Sequence, residues 1–317
     1  MSKRKILFRA DASTEIGYGH FIRTLALADM LKEEYECVFY TQVPTDYQRK
    51  ECAKVCQLFA LPSDDSRLAE FLDILCGNEI VVLDNYFYTT DYQKAVKSKG
   101  CKLVCIDDMH DKHYVADIVI NHGDVTATDF DIEPYTRLCL GDGYKLLRAP
   151  FLRPLSGEKR SNRLVLNFGG SDPMRLTDKV VSMLSEIGCE RPVVAIVGDG
   201  TKITADTIRK AEIRKNLSAE ELAELFETSY AGIFTVSTVA IEALSRGVPV
   251  LAGYVVDNQR DGFKKLSSER KIVPLGDLNN IDRKKIEEAL NRLSCFAPYI
   301  LDTQHIKENF IKVFATL

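Results

Sequence analysis

Short apolar runs alternate along the first half of the chain with longer stretches in which apolar residues recur every three or four positions. KILFRA (5–10), CVFYTQ (37–42), EIVVLDNY (79–86) and KLVCIDD (102–108) are brief, rich in β-branched residues and almost uninterrupted. A strand wetted on one face alternates between apolar and polar, whereas one covered on both faces does not. These runs therefore read as strands of a parallel sheet carrying helices on either side. Helical periodicity covers about 19–32, 46–57, 65–76 and 90–98, and DIVINHG (117–123) and RLCLGDGY (137–144) add two short strands. Such a series of βαβ units predicts a doubly wound domain.

The rhythm breaks at APFLRPLSGEKRSNR (149–163), where prolines, a glycine and clustered charge mark a linker. It resumes with RLVLNFGG (163–170), a helix from about 173 with Pro173 at its first position, and PVVAIVGDG (192–200). Ser218 and Glu221 have the spacing of a capping box at the start of the next helix. AGIFTV (231–236), a helix TVAIEALSRG closed by Gly247, and VPVLAGYV (248–255) follow, with helical segments from 281 onward. A length of 317 residues exceeds one ordinary core. The expected organisation is thus α/β, with two Rossmann-like domains at 1–155 and 156–317.

Charge and cysteine usage narrow the chemistry. The net charge is −4, and no basic stripe marks a nucleic-acid partner. No run approaches the roughly 18 uncharged apolar residues of a membrane span, and the basic start MSKRKILFRA reads as a first strand rather than an export signal. The nine cysteines are odd in number and scattered, which fits reduced thiols and a cytoplasmic location.

Gly17-Tyr18-Gly19-His20 stands between the first strand and the first helix. It is no dinucleotide fingerprint, because Ile22 occupies the third glycine position and no acid ends the second strand. What remains is a flexible turn presenting His20 where open α/β sheets bind ligands. A neutral imidazole there can take a proton from water or a hydroxyl, while the alternative role is to cap the turn or pack on Tyr18. Arg23, a turn further on, is placed either to meet a ligand or to sit in solvent. Asp84 and Asp107-Asp108 end their strands at the same mouth. The run Asp107, Asp108, His110, Asp111, His113 lacks the spacing of a zinc hydrolase, and no metal or cofactor is expected. In the second half, the turn at Gly169, Gly170 and Ser171 and the helix start at Ser237-Thr238 offer backbone N–H groups for phosphate, with Glu242 placed to accept ribose hydroxyls or to lie exposed. Neither loop is a Walker A motif.

The segments "FRADASTEIGYGHFIRTLALAD", "VVLDNYF", "CIDDMHDKHYVADIVIN", "LGDGYKLLRAPF", "NFGGSDP", "VSTVAIEAL" and "GYVVDNQ", in this order, closely resemble the UDP-sugar hydrolases of pseudaminic acid biosynthesis. Those enzymes are relatives of the glycosyltransferase that adds GlcNAc to lipid I. The resemblance spans about residues 4–265 and implies a GT-B architecture, two Rossmann-like domains facing a cleft, in which the last helix often crosses back to the first domain. It implies metal-independent hydrolysis of UDP-2,4-diacetamido-2,4,6-trideoxy-β-L-altrose to UDP and the free sugar with inversion, by water that His20 activates. By the same resemblance Asp11, Gly17, Tyr18, Gly19, Arg23, Asp84, Tyr86, Asn258 and Gln259 border the sugar or its phosphates. Gly169, Gly170, Ser171, Ser237, Thr238 and Glu242 line the nucleotide. The partners implied are the UDP-sugar and UDP, for a cytoplasmic monomer. Asn85 departs from the pattern, standing where a histidine is frequent. The alternative is an inverting GT-B glycosyltransferase acting on an acceptor other than water.

Overall fold

The computed structural model describes residues 3–12, 17–121, 123, 125–170, 172–198 and 201–317. The chain forms two compact units, residues 1–149 with 304–317, and residues 150–303. The division falls at Ala149/Pro150, at the start of the proline-rich stretch that the sequence marks as a linker.

In the first unit the strands are β1 (Lys5–Ala10), β2 (Glu36–Gln42), β3 (Gln57–Leu61), β4 (Ile80–Asp84), β5 (Lys102–Ile106), β6 (His113–Tyr114), β7 (Ile118–Asn121), β8 (Asp131–Ile132) and β9 (Arg137–Leu140). The helices are α1 (Gly19–Leu31), α2 (Asp46–Cys52), α3 (Ser66–Ile74) and α4 (Thr90–Ser98). The main sheet runs β3-β2-β1-β4-β5-β7-β9 with every pairing parallel, and β6 and β8 pair separately. Chain order reverses between β1 and β4, so the crossovers diverge there and leave an opening at the carboxyl ends of these two strands. β4 is buried along its whole length, as its uninterrupted apolar run requires. β3 is an addition to the sequence reading. It lies at the sheet edge and is mostly wetted, so QLFAL shows no clean pattern.

The second unit repeats the plan. It contains β10 (Leu164–Asn167), α5 (Leu176–Glu186), β11 (Val193–Val197), α6 (Ala205–Lys210), β12 (Glu212–Lys215), α7 (Ala219–Glu227), β13 (Ala231–Thr235), α8 (Thr238–Ser245), β14 (Val250–Tyr254), α9 (Arg260–Ser268), β15 (Val273–Asp277) and α10 (Arg283–Arg292). Its sheet, β12-β11-β10-β13-β14-β15, is parallel throughout and reverses between β10 and β13. The Ser218–Glu221 capping box opens α7 as the sequence predicts. Leu166, Val180, Leu184, Ala195 and Ile233 join one core between the sheet and its helices.

The last helix, α11 (Ile306–Phe314), belongs to the first unit. Phe310 meets Tyr144 edge-on at 5.5 Å, Phe314 meets Tyr35 at 6.3 Å, and Asn309 donates from Nδ2 to the Gly143 carbonyl at 3.1 Å.

Candidate active site

The centre of the first unit is built at the β1/β4 switch point. Gly17 takes φ +78°, a conformation that suits glycine, and turns the chain into α1, whose first turn carries His20. From the neighbouring strand end Asp84 reaches back: the Nδ1 of His20 lies 2.7 Å from its Oδ1. Arg23, one turn along α1, donates from Nε to Asp84 Oδ2 at 2.7 Å and from its second guanidinium nitrogen to Oδ1 at 2.6 Å. Thr24 donates its hydroxyl to Oδ2 at 2.8 Å. The remaining Arg23 nitrogen donates to Asp108 Oδ2 at 2.9 Å, and the Tyr86 hydroxyl donates to the same oxygen at 3.2 Å. The Tyr86 ring stands edge-on to His20 at 4.7 Å.

This network fixes the histidine tautomer. Burial alone would push the Asp84 carboxyl up, but Arg23 and His20 outweigh it and hold it well below the usual carboxylate range. An ionised carboxylate only accepts hydrogen bonds, so His20 Nδ1 must carry the proton that points at it. The 3.0 Å approach of the Arg23 nitrogen to Nδ1 is then two donors converging on one oxygen. In the neutral ring the lone pair is then on Nε2, and the residue is buried apart from 8% of its surface. Burial opposes the charge of Arg23, yet its two carboxylate partners raise its pKa well above the ordinary value. Asp108, despite burial, is held low by Arg23.

Several residues that the sequence assigns to the ligand also have partners within the protein. Asp84 is fully buried, and protein donors occupy both its oxygens. Asp11 is fully buried as well, gripped by both Arg9 guanidinium nitrogens and by the Gln42 backbone N–H at 2.7 Å. A buried carboxylate without such partners would be prohibitively costly, so the pairing follows from the burial. Arg23 is neither solvated nor pointed outward, because its charge is spent on two carboxylates. Tyr18 packs edge-on against Tyr47 at 5.2 Å, and Tyr86 remains 46% exposed. The acidic run after β5 disperses: Asp107 caps its own turn through the Met109 and His110 N–H groups, while His113 lies between Asp131 and Glu133. Among the described residues no group of three or more His, Cys, Asp or Glu is arranged to hold a metal ion.

In the second unit the loops after β10 and β11 meet next to the β10/β13 switch point. Gly169 takes φ +96°, and a Cβ on Gly169 or Gly170 would meet nothing. The backbone of Gly170 touches Gly198 at the end of β11, and the Thr201 hydroxyl donates to the Gly170 carbonyl at 3.2 Å. Ser171 lies outside the described residues. The helix expected from Pro173 starts at Leu176 instead. Asp172 is buried, and its carboxylate accepts the N–H groups of Leu176 and Thr177 at 2.8 and 2.9 Å. The first turn of that helix is therefore met by a carboxylate of the chain itself. The start of α8 differs: Ser237 is its N-cap residue and no side chain caps it. Glu242 is buried to 2% exposure, against the alternative of an exposed position. Asn258 and Gln259 lie in a single turn before α9, with the Gln259 side-chain oxygen accepting the Val255 N–H at 2.9 Å.

No protein-family model matches the chain. It is 26% identical over 305 residues to the uncharacterized protein MJ1062 of Methanocaldococcus jannaschii, which covers 88% of this chain and only 62% of that relative's length. It is 26% identical over 259 residues to the UDP-2,4-diacetamido-2,4,6-trideoxy-beta-L-altropyranose hydrolase of Campylobacter jejuni, over 76% of this chain and 88% of that protein. The spore coat polysaccharide biosynthesis protein SpsG of Bacillus subtilis is 24% identical over 84% of this chain and 82% of its own. Among solved structures, Acinetobacter baumannii MurG aligns with a TM-score of 0.65 at 12% identity, over 98% of this chain and 99% of that one. The fold is GT-B. Phytolacca americana UGT2, solved with UDP-2fluoro-glucose and pterostilbene, has the same TM-score at 12% identity over 99% and 94% of the two chains.

Within this GT-B chain, sequence reasoning located His20, Arg23, Asp84 and Tyr86 but missed how they connect. Asp107-Asp108 were placed at the same mouth without a role in the site, and Thr24 was not singled out. The place of Asp108 after β5, the strand beside β4, explains why it ends at that mouth and reaches Arg23. Thr24 carried no signal beyond its place one residue after Arg23 on α1. Among the described residues no helix is long and apolar enough to cross a membrane.

Proposed function

We propose that the protein processes a sugar nucleotide, hydrolysing a UDP-linked 2,4-diacetamido-2,4,6-trideoxyhexose of the altrose type to UDP and the free sugar. The observation that carries this reading is the His20–Asp84 pair. With the proton of Nδ1 committed to a carboxylate, Nε2 is a base oriented by its partner. Nε2 takes a proton from water, and the water oxygen bonds to the anomeric carbon as the bond from that carbon to the UDP oxygen breaks. UDP departs as an anion, the anomeric configuration inverts, and the proton on His20 returns to solvent. Arg23 carries one positive charge between two carboxylates, which leaves the centre with one negative charge in excess. That charge favours the imidazolium formed in the step and the positive charge that develops at the anomeric carbon. Gly169, Gly170, Ser171, Ser237, Thr238 and Glu242 would hold the nucleotide, with uncapped N–H groups at α8 meeting phosphate. Gly17, Tyr18, Gly19, Tyr86, Asn258 and Gln259 would border the sugar, and no metal takes part.

The altropyranose-hydrolase relative supports the substrate named here. The names of the structural neighbours favour a second reading, in which an acceptor hydroxyl takes the place of water before the same base. His20→Ala tests the base in either case. UDP release should fall by about a thousandfold or more while calorimetry finds UDP binding within about twofold of the wild type. Normal turnover in His20→Ala would remove His20 from the chemistry.

A further inference from the structure

Asp108 has an acceptor that the protein does not use. Its Oδ2 takes hydrogen bonds from Arg23 and from Tyr86, but Oδ1 is shielded from solvent and has no hydrogen-bond partner. A carboxylate oxygen offers strong acceptor sites on both atoms, and leaving one buried and unmet is costly. Ionisation sharpens the cost, and Arg23 keeps Asp108 in its charged form. The surroundings indicate what would meet it. Tyr86 links Asp108 to the base, its hydroxyl on Asp108 and its ring edge-on to His20, and nearly half of this tyrosine is exposed. The Asp108 side chain is itself 25% exposed, so a ligand seated on the tyrosine beside His20 would approach the open edge of its carboxylate.

We propose that Asp108 is a specificity-determining residue that accepts a hydrogen bond from an N–H or O–H group of the sugar portion of the substrate. This rests on the sugar-nucleotide reading above and adds which protein group distinguishes the sugar. An acetamido N–H is the donor it suits best, because an amide hydrogen bond to a charged acceptor is strong and directional. Arg23 and Tyr86 supply the fixed donors that aim the carboxylate. Asp84 cannot share the task, since its oxygens are filled.

The test measures binding rather than turnover. In a His20→Ala background, which keeps the substrate intact, calorimetry compares UDP with UDP-2,4-diacetamido-2,4,6-trideoxy-altrose. The parent should bind the sugar nucleotide more tightly than UDP. Adding Asp108→Ala should weaken the sugar nucleotide by about tenfold or more and leave UDP within about twofold. Asp108→Asn, which keeps an acceptor oxygen, should recover part of the loss. Equal affinity for the sugar nucleotide with and without Asp108→Ala would overturn the assignment, as would an equal loss for UDP. A parent that binds the sugar nucleotide no better than UDP would instead defeat the sugar-nucleotide reading, and this assignment with it.

Discussion

One oxygen of Asp84 accepts from two donors: His20 Nδ1 at 2.7 Å and an Arg23 nitrogen at 2.6 Å. Arg23 keeps that oxygen ionised, and the ionised oxygen keeps the proton of His20 on the side away from the reacting face. Asp84→Asn is the sharpest probe of this relationship. An amide can present its N–H to Nδ1 and so stabilise the other tautomer, leaving a proton on Nε2 where the base is needed. We expect kcat/KM to fall by about a thousandfold with KM little changed, measured as UDP release.

Acid should weaken the first unit through the same carboxylate. The folded-state pKa of Asp84 is depressed below its unfolded value of about 3.9, so its contribution is complete above that pH. It is lost as pH falls toward the folded value, because the unfolded chain binds the proton first. Urea melts between about pH 5 and pH 3 should show stability falling in the wild type and falling less in Asp84→Asn. His113 acts in the opposite window. Asp131 and Glu133 raise its pKa, so its contribution is present below about pH 6.5 and is lost as pH rises through the folded value. His113→Gln should flatten the alkaline side of that window.

Strands buried on both faces were legible in the sequence; of the edge strands β9 was read, whereas β3, β12 and β15 were not. ILFRA and IVVLD announce β1 and β4 because every residue is covered. β3 and β15 are partly wetted, with prolines and glycines or single polar residues breaking any period, and they passed as connections. The site divides in a similar way. His20 was visible because its glycines and its strand-to-helix position are local features. Arg23 was ambiguous because its partners lie 61 and 85 residues away, and no local spacing separates a solvated arginine from one buried on distant carboxylates. The capped start of α5 was hidden for a related reason. Pro173 is a common first helical residue, whereas the chain makes a turn with Asp172 and Arg175 at positive φ before the helix begins.

The last helix should contribute to the stability of the first unit rather than act as a tail. Phe310 is fully buried against Tyr144. Phe310→Ala removes a large apolar side chain from a filled space and should cost about 3–5 kcal/mol in a urea melt. A loss below about 1 kcal/mol would mean that α11 frays freely.

The nucleotide loop can be disturbed from behind. A Cβ on Gly198 would run into the Gly170 carbonyl, backbone against side chain, so Gly198→Ala must displace the 169–170 turn. UDP affinity should fall by about tenfold while the melting of the first unit is unchanged. Unchanged UDP affinity would show that this turn does not touch the nucleotide.

The central claim is that water, activated by His20, cleaves the bond between the anomeric carbon and UDP. Turnover of UDP-2,4-diacetamido-2,4,6-trideoxy-altrose in oxygen-18 water, with a chelator and without any acceptor, tests it most directly. The account requires UDP release with the label in the free sugar and none in UDP. Label in UDP, or no release without an added acceptor, would contradict it.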